Sequence, residues 1–386
     1  MVVPGERSRL RLLQLTTFTS SCDRFAIAPL LVAIGLDLRV PLSGAALVAT
    51  GYFLAYGLMQ PVWGMVSDRI GRVRVMRLAL LGAAVAGAAS AVAPSLAVLG
   101  VARVVAGACF AAVVPSALVY VGDVWPAVTR QRPLSEILSA SALGIALATV
   151  GAGLLADLVG WRVVPALTGL VAAGLWFALA RLPEPERGPA TGSPLRSIRR
   201  VLRSRWGPLV LGVVLVEGAV VLGVLTYLAP AVQSLGWSAG VAGLVAAAFG
   251  VGALGFSRVV RVLVSRLAPP GMAAVGGVCL VLAWAVPAVA VTVPTLVAAG
   301  LLVGAAWAFL HTTLQGWATE MVPDERATAV ALFAGALFLG SALGTAVAAP
   351  FAEAGAYGAV FAVSALVAVP VAVVAAVGRG RAARPA

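Results

Sequence analysis

The chain has no lysine, one histidine (His311) and three cysteines, and charged residues make up only 11% of its 386 positions. Each scarcity excludes something. A single histidine rules out the histidine clusters that build most catalytic metal sites. Cys22, Cys109 and Cys279 fall singly within apolar segments, without disulfide or metal-ligand spacing, and read as small buried hydrophobes. No metal or cofactor is therefore expected. A Walker loop, a dinucleotide-binding glycine fingerprint after a strand and a nucleophile elbow are also missing. The chemistry of a soluble enzyme is not expected, and without an ATP site any transport must run downhill or on an ion gradient.

What is present is apolar. Hydrophobic residues make up 61% of the chain and the mean hydropathy is +1.05, too high for a domain that hides one core from water. A bilayer-spanning helix needs roughly 20 apolar residues. Twelve such stretches can be placed, at about 12–36, 43–66, 76–93, 96–121, 135–158, 163–182, 208–231, 239–260, 271–291, 295–318, 328–350 and 358–377. Turn residues such as Pro41, Pro94, Pro126, Gly160, Pro269, Pro294 and Pro323 separate them. The run from Thr16 to Ile34 is long for a signal peptide and lacks a cleavage site, so it reads as a retained first span. The expected fold is an all-α membrane protein with twelve transmembrane helices in two six-helix halves. Residues 1–182 would form the first half, 183–207 a cytoplasmic linker and 208–386 the second half.

The net charge of +13 is carried by arginine alone. Of the 27 arginines, all but Arg24, Arg39, Arg103 and Arg162 fall at the termini or in alternate loops, starting with the one after the second span. That is the positive-inside pattern. It makes a lipid bilayer, not nucleic acid, the partner, and it places both termini in the cytoplasm of a bacterial inner membrane protein. The linker opens with Pro183-Glu184-Pro185-Glu186-Arg187-Gly188-Pro189, which reads as flexible. Its second part, with Arg196, Arg199, Arg200, Arg203 and Arg205, reads as a basic amphipathic helix on the membrane surface.

The halves also repeat. Shifted by about 197 residues, Leu47-Val48-Ala49 meets Leu244-Val245-Ala246, Tyr52 meets Phe249, Gly107 meets Gly304, Asp123 meets Glu320 and Pro126 meets Pro323. Between the second and third spans lies the densest charge cluster, Gly64-Met65-Val66-Ser67-Asp68-Arg69-Ile70-Gly71-Arg72-Val73-Arg74. Gly64 is expected to end a helix and admit another backbone, Asp68 and Arg69 to sit at the water boundary, and Gly71 to permit a tight turn.

On Gly64, Asp68, Arg69, Gly71 and Arg72, with their spacing and apolar flanks, this passage resembles the cytoplasmic loop between helices two and three of major facilitator superfamily transporters. The second half, with Ser265-Arg266 and Ala268 at the equivalent places, holds a degenerate copy. The resemblance implies duplicated six-helix halves around a midplane site. It also implies a conformational latch built from these five residues and Asp123, with Asp68 facing the start of the eleventh helix near Thr328 and Arg72 bridging towards Asp123. Arg103, followed four residues later by Gly107, resembles the family's fourth-helix pattern, where such an arginine is associated with proton coupling. Gly144, Gly151 and Gly153 resemble its glycine-rich fifth helix, although Ala148-Thr149 stands where drug-proton antiporters commonly have glycine-proline.

Ionisable residues inside apolar spans are costly and mark candidate sites. Thr16, Ser20 and Asp23 share one face of the first helix and Thr17, Ser21 and Arg24 the next, a stripe suited to lining a cavity. Asp23 is the nearest candidate partner for Arg103, either as a structural counter-ion or in coupling. Glu217, the one acid deep in the second half, has no basic neighbour visible in the sequence and is either a proton or substrate site or a structural residue. His311 either lines the cavity or is a satisfied bundle residue. Asp157 and Arg162 read as an exposed pair at the outer boundary. Trp176, Tyr227, Trp284, Trp307, Phe309 and Trp317 either line an aromatic cavity or anchor helices at the interface. The expected function is proton-coupled export of small apolar or amphiphilic molecules by a monomer, resembling the drug and sugar efflux branch. Metabolite uptake or facilitated diffusion is the transporter alternative. A transport-inactive membrane sensor or assembly partner is the alternative from another class.

Overall fold

In lipid, each segment must satisfy its own backbone hydrogen bonds. The chain does so with helices alone, and no strand occurs among the residues described by the computed structural model, 5–126, 128–185 and 193–382. Among the described residues, ten segments are long and apolar enough to cross a membrane: Leu42–Ile70, Arg72–Ala91, Leu96–Val124, Gln131–Leu158, Gly207–Ser234, Ala239–Leu263, Pro269–Val289, Val293–Glu320, Pro323–Glu353 and Tyr357–Ala382. Two further columns complete the expected order. Glu6–Phe25 and Ile27–Leu38 run on from one another through Ala26, and the polar stretch from Thr16 to Arg24 keeps the first of them from reading as apolar. Val163–Leu179 has 17 residues, about 26 Å of helix against a hydrocarbon core of roughly 30 Å. The columns are numbered spans 1 to 12 in chain order. Their lipid-facing surface is apolar, with Leu36, Leu170 and Leu366 among its most exposed side chains.

Several helices overrun their expected ends by about a turn. Span 2 continues through Gly64, Asp68 and Arg69 to Ile70, so Gly64 does not end the helix. Nothing lies within 4 Å of where a Gly64 side chain would point, so it admits no close approach either. The break comes at Gly71, whose φ of +107° favours glycine. A Cβ there would also lie 2.5 Å from the Glu184 carboxylate, which accepts hydrogen bonds from Val73 N (3.2 Å) and Arg74 N (3.1 Å). Glu184 thereby satisfies free amides at the start of span 3, where negative charge is favoured. The opening of the linker is thus anchored to the first half, where the sequence suggested a flexible segment. The rest of that segment, 186–192, lies outside the described residues. Beyond it the basic helix forms as Pro194–Arg203, with Val201 buried and Arg200 paired with Glu325 at the start of span 11 (2.9 Å).

The repeat has structural content. Gly107 of span 4 seats against the Tyr52 carbonyl of span 2, and Gly304 of span 10 seats against the Phe249 carbonyl of span 8. Both glycines, each packed on a residue two spans away that also matches in the repeat, are needed for backbone approach. Helix irregularities recur in the same register. Span 1 is interrupted at Ala26 and span 7 carries a π-helical turn at Ala219–Gly223; span 4 is interrupted between Phe110 and Val113 and span 10 carries a π-turn at Trp307–His311. Such turns re-aim side chains and are frequent at functional sites.

The halves meet along two seams. At mid-depth Gly57 of span 2 approaches the Gly335 carbonyl of span 11, and the rings of Phe53 and Tyr56 pack on Phe338. On the face away from the chain termini, span 5 and span 8 approach through Gly153, Gly243 and Gly250, each facing the backbone or a small side chain of the other half. Small residues are what allow helices to associate closely in lipid.

Candidate functional site

Asp23 and Arg24 are consecutive on span 1, and a helix turns about 100° per residue, so they face different surroundings. Asp23 points into the first half. Its carboxylate accepts a two-pronged pair of bonds from Arg103 of span 4, Nη1 to Oδ1 at 2.9 Å and Nη2 to Oδ2 at 2.7 Å. Thr168 of span 6 donates a further bond to Oδ1 at 2.9 Å. Both charged side chains are at most 5% exposed, and the Tyr52 ring lies 4.7 Å from the guanidinium carbon. The contact anticipated from sequence is present, and Thr168 adds a third helix to it.

The remaining polar stripe on span 1 does not line a cavity. Thr16, Thr17 and Thr19 bond back to carbonyls of their own helix, Ser20 reaches Phe110 O of span 4, and Ser21 pairs with Ser141 of span 5. These hydroxyls hold spans 1, 4 and 5 together, and Gly144 lets span 5 approach the backbone at Phe18.

Arg24 instead faces the gap between the halves. Its Nη1 donates to Tyr56 OH at 2.9 Å, and its guanidinium carbon lies 5.1 Å, 5.1 Å and 5.2 Å from the ring centroids of Phe25, Tyr56 and Phe338. It borders a narrow central cavity whose other walls include Phe53, Thr149, Thr226 and Phe249. Spans 2, 5, 7 and 8 contribute these residues, so both halves form the cavity. Of the six aromatics anticipated as its lining, only Trp307 approaches, through its edge-on contact with Phe249. Trp284 stacks on Phe361, Trp317 packs on Trp206, Phe309 on Phe256, Trp176 on Phe177, and Tyr227 donates to Thr345 O.

The second half brings together two residues that the sequence left apart. Glu217 of span 7 and His311 of span 10 lie with Oε2 and Nδ1 3.3 Å apart, their side chains 1% and 7% exposed. Each flanks or ends one of the two π-turns. Trp307 stacks on the imidazole at 3.7 Å between centroids, and Phe333 closes another side at 5.3 Å. No local pattern announces a contact across 94 positions. The available signal was that the lone deep acid and the lone histidine occupy the same half.

At the face bearing the termini, Arg72 Nη1 donates to Asp68 Oδ1 (2.5 Å) and Nε to Asp123 Oδ2 (3.3 Å). Asp68 remains 61% exposed, and among the described residues it makes no bond to the start of span 11, so the contact near Thr328 is not formed in this state. Arg69 occupies the last turn of span 2. The repeat partner of Asp123, Glu320, pairs instead with Arg379 of span 12 at 2.6 Å. The repeat places Ala268 and Pro269 where Gly71 and Arg72 stand, and proline offers no guanidinium.

The opposite face requires a correction. Asp157 is exposed as expected, but it does not pair with Arg162: its carboxylate crosses between the halves and accepts hydrogen bonds from Ala239 N (3.1 Å) and Gly240 N (2.7 Å) at the start of span 8. Arg162 pairs with Asp37 of span 1, which also accepts a bond from Trp161, and reaches Ala93 O. Gln233 of span 7 adds a bond to Pro29 O of span 1. These contacts close this face between spans 5 and 8 and between spans 1 and 7, while an open pocket lined by Leu36, Arg39, Leu42, Ser234 and Glu353 remains beside them. Asp157→Ala should weaken the closure by about 1 kcal/mol, the usual worth of a helix cap. A single cysteine at Val241 should then react several-fold faster with an impermeant maleimide, and an unchanged rate would show that the seam closes without the acid.

The chain matches the family description "Major Facilitator Superfamily" over residues 13–288 and 223–386. It is 29% identical to a triacylglyceride transporter of Mycolicibacterium smegmatis over 136 residues, covering 34% of this chain and 24% of that protein. With the class C tetracycline resistance protein of Escherichia coli it shares 33% identity over 163 residues, 40% of each chain. The matched segment thus spans about a quarter of the first relative and well under half of the second. In fold it is similar to the xylose transporter XylE from E. coli, with a TM-score of 0.77 at 15% identity over 95% of this chain and 96% of that one. The near-complete family match makes this chain a member of the major facilitator superfamily, a family of membrane transporters.

Proposed function

We propose that the chain is a proton-coupled secondary transporter that exports small amphiphilic molecules from a bacterial cytoplasm. It would work as a monomer by alternating access, with both termini cytoplasmic. The observation that carries the coupling is the buried Glu217–His311 pair. A carboxylate and an imidazole in contact can hold one proton between them or take up a second, and either change alters the charge of an apolar site. Both groups adjoin helical turns that can change register, which gives protonation a route to conformation. Asp23 supports the reading less well, since Arg103 and Thr168 already engage its carboxylate. Export is favoured by the matched tetracycline resistance protein and by the apolar cavity at the junction of the halves.

The test is solute-dependent proton movement in proteoliposomes carrying an internal pH dye, across a panel of neutral, cationic and anionic amphiphiles. At least one class should move protons in fixed proportion to solute. Solute flux without proton flux would make the protein a facilitative carrier, and opposite rates in oppositely oriented vesicles would give the direction.

A further inference from the structure

We propose that the transported molecule carries a carboxylate on an apolar body, and that Arg24 is the residue that receives it. The inference rests on the transport reading and deepens it.

A guanidinium in the apolar layer keeps its charge and needs a counter-charge. The two buried arginines of the first half differ in this respect. The charge of Arg103 is met by Asp23, although its Nε, like that of Arg24, lacks a partner. Arg24 is only 9% exposed, yet among the described residues no acid forms an ion pair with it, and its one hydrogen bond goes to the neutral Tyr56 hydroxyl. The three rings around it attract positive charge but accept no hydrogen bond in the guanidinium plane. The buried Nε and the neighbouring Nη2 thus form an unused edge, the fork that matches a carboxylate bidentately.

The position of Arg24 gives this edge a transport role. It borders the cavity formed by both halves, and Phe338, one of the rings that shields it, belongs to span 11 of the second half. Separation of the halves withdraws that ring and uncovers the edge. The chemistry also limits the charge of the ligand. Thr149 and Thr226, the other polar residues on the wall, spend their hydroxyls on Ala146 O and Leu222 O of their own helices. One fixed positive charge therefore faces an otherwise neutral, largely apolar wall. A monoanion balances it, whereas a doubly charged phosphate would leave a surplus negative charge. Phe25, Phe53 and Phe249 supply contact for the apolar body.

The experiment uses the full chain in nanodiscs and matched probes that differ only in the head group: decanoate against decanamide, and 4-butylbenzoate against 4-butylbenzamide. Calorimetry should show each acid binding at least tenfold more tightly than its amide. In Arg24→Gln the gap should close, and in Arg24→Lys, which keeps the charge but loses the fork, it should shrink without vanishing. The wild-type comparison and the lysine variant decide the matter even where the glutamine variant fails to fold. Equal binding of acids and amides by the wild type, or an undiminished preference in Arg24→Gln, would overturn the assignment. In the proton-flux panel, movement of neutral or cationic amphiphiles but not of acids would reject the carboxylate and leave transport standing. Movement of no panel member would remove the transport reading itself, and this assignment with it.

Discussion

Asp23→Asn alone is expected to destabilise the solubilised protein by roughly 3–5 kcal/mol, the usual consequence of removing one partner of a buried ion pair. The amide preserves shape and retains one acceptor oxygen, so the loss reflects charge more than volume. Arg103 would keep a full positive charge at 5% exposure against the neutral Tyr52 ring. Arg103→Gln should cost a comparable amount by leaving the carboxylate without its cation. The double variant Asp23→Asn/Arg103→Gln should recover much of the loss, because a neutral pair leaves no orphan charge. Thermal unfolding in detergent gives the stabilities, and gradient-driven transport supplies the second readout. A pair that only holds spans 1 and 4 together will recover both in the double variant. Recovery of stability without transport would give the pair a part in the working cycle, and strictly additive losses would show that the residues are not coupled.

Glu217→Gln should abolish concentrative transport, lowering steady-state accumulation at least tenfold, while exchange of labelled for unlabelled solute across the membrane continues. The amide can still hydrogen-bond His311, so the helices are expected to stay in place, but it cannot take up and release the proton. His311→Gln should act in the same direction, since the imidazole is the group in contact with the Glu217 carboxylate. Retention of proton-driven accumulation in Glu217→Gln would reject this pair as the coupling site. Loss of exchange as well as accumulation would assign Glu217 to binding or folding, and the calorimetric affinities for decanoate and 4-butylbenzoate separate those two.

The sequence displayed these features unevenly, for physical reasons. Helices, their order and the repeat follow from apolar length and from residues that must be small, so Gly107 and Gly304 announce a shared packing contact without any structure. The Asp23–Arg103 contact was also legible, because a charge in an apolar layer demands a partner and the first half offers few. Glu217 and His311 were harder to join: their contact depends on how spans 7 and 10 pack, and neither neighbourhood encodes it. Asp157 was misread because its partners, Ala239 N and Gly240 N, are backbone amides, which have no letter in the sequence. Gly64 was misread because glycine within a lipid-embedded helix is tolerated where it does not break it. The contacts expected of the Asp68 loop form in part: Arg72 bridges Asp68 and Asp123 as foreseen, whereas the approach of Asp68 to the start of span 11 is not made among the described residues.

The glycine seam between spans 5 and 8 has a consequence for how sharply the molecule changes shape. Backbone contact through Gly153 and Gly243 is attractive over a very short range, and a gap of 0.5–1 Å already forfeits roughly a quarter to a half of it. The two bonds to Asp157 are likewise lost within about an ångström of stretch. A seam of long interleaved side chains would yield gradually, trading one partner for the next as it slid. Here resistance is concentrated at the first small displacement and then collapses, so intermediate gaps have little to hold them. The expected behaviour is that of a snap fastener: two well-populated positions, a narrow threshold between them, and few molecules caught half open.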